Sequence, residues 1–505
     1  MNRKFLSFAV LSGVMTGAFS PGAMSACLSF SEAGQFQSVL THEDIFNDSY
    51  NGVHSDFVRL HQSSVVSVEP SSNSGFCSGT YIEGNRVLTS AHCVNDLREL
   101  NENMYVNFNY RINPITGKSR DELDRYRVLE IDSWENDVDV AVLQLEDGPQ
   151  RYYPTARLSR RVLSVGERIL SINHSAGLPQ GFDFGSLSNA SGNHFQIDDL
   201  IVEGGASGGG ALDENGFVVG QINYKACAGS RAFSGGSKME DVFYSIDAVQ
   251  EIFYQYEDED RYGYVNNFQD GIKWANIRSK KWSYHRGETP SSNTGPNNAD
   301  ANYLYFETSR GHAFNAGDEA AIVSHPFKLL DDTRFSFDFH MYGSDIGNLS
   351  VWVSSNAGQD WHIIRDWGRQ QQKSKGAAWR TTSFTHELGR RGDTIRVMIK
   401  AVAAGGYRGD IAIDNLRIGK DSTGMDLTVR GISYDAGVST WDAVQGALEY
   451  EFKYFDDSEV LVRDFDAANH DGHPFEWAPG RVEWIQACER VSACGPRTYL
   501  ERLDY

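Results

Sequence analysis

The chain reads as an all-β protein built from three successive units. Three observations predict this. Short runs of alternating apolar and polar residues, separated by Gly, Asn and Asp turns, recur from Val65 towards the C-terminus. The composition shifts after the acidic run Glu257-Asp258-Glu259-Asp260, and again after Gly419-Lys420-Asp421-Ser422-Thr423-Gly424. Finally, a length of 505 residues is too great for one ordinary domain and suits two to four. With 40% hydrophobic residues, 12% aromatics and 49 glycines, the chain can build cores and many turns and does not read as disordered.

The formal net charge of -22 argues against nucleic acid or an anionic membrane as partner, because polyanions would be repelled. Residues 1–26 read as an export signal. Arg3 and Lys4 precede an apolar stretch from Phe5 to about Phe19, and small residues lead to Ser25-Ala26. The expected location is therefore secreted or periplasmic. Met24-Ser25-Ala26-Cys27 also loosely resembles a bacterial lipoprotein cleavage site, which gives a lipid anchor on Cys27 as the alternative. No other stretch approaches the ~18 apolar residues of a membrane span. Residues 27 to about 60 are polar and weakly patterned, and 27–55 read as an N-terminal arm or pro-segment. Six cysteines, Cys27, Cys77, Cys93, Cys227, Cys488 and Cys494, follow the signal; an even count in an exported chain points to disulfides. None has the close paired spacing of a zinc site, and no metal or cofactor is expected.

The first unit spans 56–254. Val65 to Val68, Cys77 to Ile82 and Arg86 to Ser90 read as strands, followed by Tyr105 to Tyr110, Val138 to Leu145 and Arg168 to Ile172. Asp247 to Tyr256 reads as a closing helix and the acidic run as a solvated linker. Three segments carry chemistry. In Thr89-Ser90-Ala91-His92-Cys93 a strand ends on a histidine beside a cysteine, and Cys77 lies one hairpin earlier, where a bridge to Cys93 would pin the histidine's turn. Asp139 heads the apolar run Val140 to Leu145, a place that suits a carboxylate held in the interior by hydrogen bonds. In Gly204-Gly205-Ala206-Ser207-Gly208-Gly209-Gly210 a serine sits in a turn nearly free of side chains, so the backbone can approach a substrate closely. Asp132 and Asp137 are alternatives to Asp139 but look solvated, and His174 in Ile172-Asn173-His174-Ser175 reads as structural.

These three segments, in this order, resemble the signature segments of chymotrypsin-like serine proteases. The resemblance covers roughly 56–254 and implies a double β-barrel with the site between the barrels. It implies His92 as general base and acid, Asp139 as the group that orients it, and Ser207 as nucleophile. The backbone N–H groups of Gly205 and Ser207 would form the oxyanion hole. It also suggests a Cys27–Cys227 bridge, because bacterial lysyl endopeptidases have a similar long-range one.

Two departures bear on regulation and specificity. Many secreted animal members carry an aspartate just before the serine to capture a new N-terminus; here Ala206 stands there, so no such switch is expected. Trypsin's acidic pocket residue lies six positions before the serine, where this chain has Ile201. Lys225 and Asp241 are the charged candidates for the pocket, and the residue preferred before the scissile bond stays open.

The second unit, 265–420, opens with Phe268-Gln269-Asp270-Gly271 and Trp274, continues through Trp282 and Thr294-Gly295-Pro296, and closes on Gly409-Asp410-Ile411-Ala412-Ile413-Asp414-Asn415-Leu416. Phe335, Phe337 and Phe339 alternate with polar residues. This order of landmarks resembles a MAM domain, an extracellular jelly-roll sandwich, without its usual cysteines. Asp410 and Asp414, at a strand's ends, read as solvated carboxylates, with ligation of a cation as the alternative. The third unit, 425–505, has Trp441 at one strand's end and the strict alternation Leu448 to Tyr454, and it resembles a fibronectin type III sandwich with a Cys488–Cys494 staple.

The expected function is a serine endopeptidase acting on protein or peptide substrates through an acyl-enzyme. Its C-terminal modules would bind a surface, a matrix ligand, the substrate or another part of the chain, or serve as a spacer. The competing expectations are an adhesion protein with a degenerate protease domain, and an esterase using the same three residues on small esters.

Overall fold

The computed structural model describes residues 55–69, 77–94, 104–112, 123–200, 202–228 and 231–262, most of 264–420, the short strand Gln37–Ser38, and isolated strands between 433 and 499. The expectations for the signal segment and for Cys27, Ile201 and the Cys227 side chain lie outside the described residues.

The first unit contains two closed barrels of six antiparallel strands. Barrel one comprises β1 (Val65–Glu69), β2 (Cys77–Ile82), β3 (Arg86–Thr89), β4 (Tyr105–Phe108), β5 (Asp124–Glu135) and β6 (Val140–Leu145), in the spatial order β1-β2-β3-β6-β5-β4. Barrel two comprises β7 (Arg168–Asn173), β8 (Gly181–Asn189), β9 (His194–Asp198), β10 (Gly210–Leu212), β11 (Val218–Ala228) and β12 (Arg231–Lys238), and closes through a β7–β8 pairing. The alternation of each strand fills its own barrel: Val66, Val68, Tyr81, Phe108 and Leu143 inside the first, Ile169, Leu187, Phe195, Ile197 and Ile222 inside the second. A third apolar cluster lies in the seam and takes residues from both barrels, including Leu88, Val140, Ile172 and Val218. Cys77 and Cys93 form a disulfide with a Cα–Cα distance of 6.3 Å.

Among the described residues three helices frame the barrels: α1 (Ser55–Gln62), α2 (Met239–Ser245) and α3 (Asp247–Tyr262). Helix α3 places Val249, Ile252, Phe253 and Tyr256 in the seam cluster, at helical spacing. It differs from expectation at its end. The acidic run 257–260 is helical, not linker, because glutamate propagates a helix well once the preceding face is anchored. The chain just before Val65, expected to be weakly patterned, is α1, whose residues from Asp56 to Leu60 are all buried.

The second unit is a sandwich of two antiparallel sheets. One is ordered Ser283–Arg286, Asn302–Phe306, Ile411–Lys420, Thr333–Met341, Arg380–Phe384, and the other Ala275–Asn276, Glu319–Val323, Thr394–Val402, Asn348–Ser354, His362–Gly368. Their facing sides enclose one apolar core with Trp274, Trp282, Phe335, Phe337, Phe339, Val351, Val397 and Ile413, which carries the stability that cystines would otherwise supply. Asp410 departs from its expected solvation. It is fully buried, accepts the Thr308 N–H at 3.2 Å, and its carboxyl is pushed up to about 7 by burial and by neighbouring Glu307. His340 is also buried although its place in the alternation faces outward, because the segment around Lys375 and Trp379 crosses that face.

The strands between 433 and 499 form a three-stranded sheet (Ser433–Asp435, Val438–Trp441, Phe475–Pro479) and a five-stranded one built on Glu449–Tyr454 and Val482–Arg490. Cys488 and Cys494 are register partners there. Among the described residues no helix is long and apolar enough to cross a membrane.

Candidate active site

His92 lies in the short 3-10 turn Ala91–Cys93 that follows β3, where the Cys77–Cys93 bridge ties the turn to β2. Asp139 ends the turn before β6 in a left-handed conformation, with φ +49 and its N–H donating to Asn136 O at 3.1 Å. Aspartate tolerates that region better than most residues, and the kink aims its carboxylate across the seam. Asp139 Oδ1 accepts the His92 backbone N–H at 2.9 Å, and Oδ2 meets His92 Nδ1 at 2.7 Å. A proton on Nδ1 satisfies this contact and leaves the Nε2 lone pair available. The carboxylate is less enclosed than expected, with the Asp139 side chain 28% and that of His92 45% exposed, because both sit at the open edge of the seam.

The alternative carboxylates are placed elsewhere. Asp132 pairs with Arg86 at 2.9 Å and Asp137 is exposed. His174 is fully buried, stacks on Tyr110, and makes a 3.0 Å hydrogen bond between Nδ1 and Leu178 O. Burial lowers it to about 4, so it is neutral and structural.

Ser207 stands in the loop joining β9 to β10. Gly205 (φ +103) and Gly208 (φ +89) adopt conformations that favour glycine. A Cβ at Gly208 would come within 2.1 Å of Ser78 O, so this residue must be bare for the loop to pack on barrel one. Ser78 fastens the same loop, its N–H donating to Ser207 O at 2.8 Å and its hydroxyl to Gly205 O at 2.7 Å. Among the described residues the N–H groups of Gly205 and Ser207 donate no hydrogen bond. The Ser207 hydroxyl donates to Asn223 O at 3.3 Å and makes no hydrogen bond to His92.

Asn223, in β11, joins the three segments. Its main-chain oxygen accepts Ser207 Oγ, and its side-chain oxygen accepts Ser90 Oγ at 3.0 Å, two residues before His92. Its amide donates to Val138 O at 3.3 Å, the residue before Asp139, and to Ser237 Oγ at 3.0 Å. Sequence reasoning missed Asn223 and Ser78. The one available signal was a polar residue at a buried place in an apolar strand, which by itself names no partner.

Of the pocket candidates, Lys225 lies two residues beyond Asn223 and forms an ion pair with Glu203, two residues before Gly205. The pair links the nucleophile loop to β11. Asp241 lies in the first turn of α2, 3.1 Å from Lys238 Nζ. No contact joins it to Ser207, His92 or Lys225 among the described residues.

Comparison with known proteins finds two family models along the chain. The family model of the trypsin-like peptidase domain matches residues 77–220, and that of the MAM domain (meprin/A5/mu) matches 255–422. MAM domain-containing glycosylphosphatidylinositol anchor protein 1 of Rattus norvegicus is 31% identical over 175 residues, 33% of this chain and 17% of that one. MAM domain-containing protein 2 of Homo sapiens is 28% identical over 156 residues, 30% of this chain and 21% of that one. The chain thus spans about a fifth of the length of the curated relatives it matches. Among solved structures, a serine endoprotease from Yersinia pestis is 20% identical, covering 43% of this chain and 70% of that one with a TM-score of 0.32. The protein Rv3671c from M. tuberculosis H37Rv is 20% identical, covering 39% and 90% with a TM-score of 0.30. The chain therefore joins a trypsin-like peptidase domain to a MAM domain.

Proposed function

We propose that this protein is a secreted or periplasmic serine endopeptidase, and that Ser207, His92 and Asp139 carry its chemistry. The observation that carries the reading is the hydrogen-bond network through Asn223, which gathers the Ser207 loop, the strand end before His92 and the turn before Asp139 at one seam. Ser207 Oγ attacks the scissile carbonyl carbon while His92 Nε2 takes its proton. The carbonyl oxygen gains the negative charge and is met by the N–H groups of Gly205 and Ser207. Collapse breaks the C–N bond, and His92 returns the proton to the leaving amine. Water then attacks the acyl-Ser207 ester by the same route, releasing the acid and restoring the hydroxyl. Asp139 holds the proton on Nδ1 throughout, so that Nε2 is the atom that accepts and returns the proton, and its carboxylate stabilises the imidazolium formed in between. Before substrate arrives, the Ser207 hydroxyl rests on Asn223 O, and it must turn towards His92 as the reactive complex forms.

The MAM domain binds a protein or matrix ligand, or another part of this chain. The unit after 425 is a fibronectin type III-like sandwich, a reading supported by its three-stranded and five-stranded sheets. The test is Ser207→Ala, which should lower kcat on a peptide substrate by a factor on the order of 10⁶. A fluorophosphonate probe should label the wild type at Ser207 and spare the variant. The reading of an adhesion protein with an inert protease fold is favoured by the Ser207–Asn223 hydrogen bond, and an unlabelled wild type would establish it.

A further inference from the structure

The peptidase and MAM domains meet through buried, specific contacts that a tethered module would not need. Helix α1 lies between them. Phe57 and Val58 belong to the seam cluster of the barrels, whereas Leu60 packs with Ala275, Ile277, Ala321, Val323 and Met398 of the MAM sandwich. The exchange runs both ways, because Ala357 of the sandwich belongs to the barrels' cluster. A Cβ on its neighbour Gly358 would come within 2.9 Å of Leu60 Cδ1, so the two surfaces touch closely. Buried Asp56 bridges Arg59 on its own helix, at 3.2 Å, and Arg278 of the sandwich, at 3.0 Å.

A further contact is made by Arg396, on the strand Thr394–Val402, which is 4% exposed. Its Nη1 donates to Ser324 O at 3.0 Å within the sandwich, and its Nη2 donates to Asn215 O of the peptidase domain at 2.9 Å. Nη2 also lies 3.3 Å from His61 Nε2, which accepts as a neutral ring. Asn215 sits in the turn joining β10 to β11. Asp213 organises that turn, its Oδ1 accepting the N–H groups of Asn215 and Phe217 at 3.0 Å each. The next residue, Gly216, has φ +81, and a Cβ there would fall 2.0 Å from His61 Nε2. The turn, His61 and the guanidinium therefore fit only as a set. This turn is the far tip of the hairpin whose base carries the site: Ser207 precedes Asn215 by eight residues and Asn223 follows it by eight.

We propose that the MAM domain is a fixed brace of the peptidase domain, with Arg396 a positioning residue that holds the 213–217 turn and thereby the registry of Ser207 with Asn223. Undocking the sandwich breaks the Arg396–Asn215 hydrogen bond together with the apolar contact of Leu60, and within the docked interface the buried guanidinium depends on those acceptors. Paired strands are stiff along their length, and a displaced tip shifts the base where Ser207 Oγ meets Asn223 O.

The positioning role rests on the reading of Ser207 as nucleophile; the docking does not. The full-length Arg396→Gln, Arg396→Lys and Leu60→Ala variants are compared with wild type by calorimetry, by fluorophosphonate labelling and by the split of kcat and KM. The wild-type peptidase and MAM domains should unfold in one shared transition, which separates in Arg396→Gln. That variant should label about tenfold more slowly, with kcat reduced and KM within about twofold, the scale of one buried charged hydrogen bond. Arg396→Lys should recover part of the rate, because one donor still reaches Asn215 O. Leu60→Ala, which removes an apolar contact to the sandwich and leaves the Arg396 donors and the Asn215 acceptor unchanged, should also slow labelling, and it covers the case in which Arg396→Gln fails to fold. Independent unfolding of the two domains in wild type would overturn the brace. Wild-type labelling in both Arg396→Gln and Leu60→Ala would overturn the coupling to the site. A wild type that takes no label overturns the reading of Ser207, while the calorimetry still decides the docking.

Discussion

Replacing Asp139 by asparagine tests the tautomer on which the proposed chemistry depends. Asp139 uses both oxygens on His92, one on the backbone N–H at 2.9 Å and one on ring Nδ1 at 2.7 Å. Asparagine is nearly isosteric but has one oxygen and one NH₂. The oxygen keeps the backbone N–H, so the NH₂ faces Nδ1 and requires a lone pair there. The ring proton then moves to Nε2, the atom that must accept the Ser207 proton. The fold should survive, because the side chain is partly exposed and every contact keeps a partner. Turnover should fall by about 10⁴, equivalent to about 5.5 kcal/mol in the barrier. Initial rates on a fluorogenic peptide and the rate of fluorophosphonate labelling measure this, with a thermal melt as the folding control. A folded Asp139→Asn enzyme within tenfold of wild type would refute the reasoning. So would a comparable loss in Asp132→Asn or Asp137→Asn, since Asp132 is engaged by Arg86 and Asp137 faces solvent.

Two further outcomes follow from the geometry. Gly208→Ala should destabilise the peptidase domain by about 2–4 kcal/mol, from the left-handed backbone and the clash with Ser78 O together, read as a lower melting temperature and slower Ser207 labelling. Stability should also fall as pH drops below about 6.5. Burial holds His174 at about 4 and His340 at about 4, and pushes His61 well below the ordinary value, so these rings are neutral when folded and take up protons on unfolding. Their contribution is complete above the unfolded value and is lost as pH falls from there towards the folded one, at up to about 1.4 kcal/mol per pH unit for each ring. Asp410, raised to about 7, acts in the opposite sense between the ordinary aspartate value and 7, and offsets part of the loss. A urea midpoint that does not decrease between about pH 7 and pH 5 would contradict this balance.

Much of the candidate site was legible because its residues carry local signals. A serine among glycines, a histidine beside a cysteine at a strand end, and an aspartate at the head of an apolar run are each written within a few neighbouring positions. The alternation of Phe335, Phe337 and Phe339 likewise marks its face without knowledge of what covers it. Burial on the other face was not legible. His340 is buried because a segment some 35 residues later in the chain crosses above it, and Asp410 because Thr308 and Glu307 close around it.

The sequence by itself determined the all-β patterning, the resemblance to a trypsin-like peptidase domain and a MAM domain, and the residue types available for nucleophile, base and carboxylate. Only the tertiary structure decided what holds them in register: Ser78 from barrel one on the Ser207 loop, Asn223 between all three segments, and Arg396 of the MAM domain on the turn behind them. Periodicity and motif spacing report on neighbours along the chain. A hydrogen bond that spans 127 residues, as from Ser78 to Gly205, or 181, as from Arg396 to Asn215, leaves no local pattern, because any polar residue at that depth would read the same until its partner is in place.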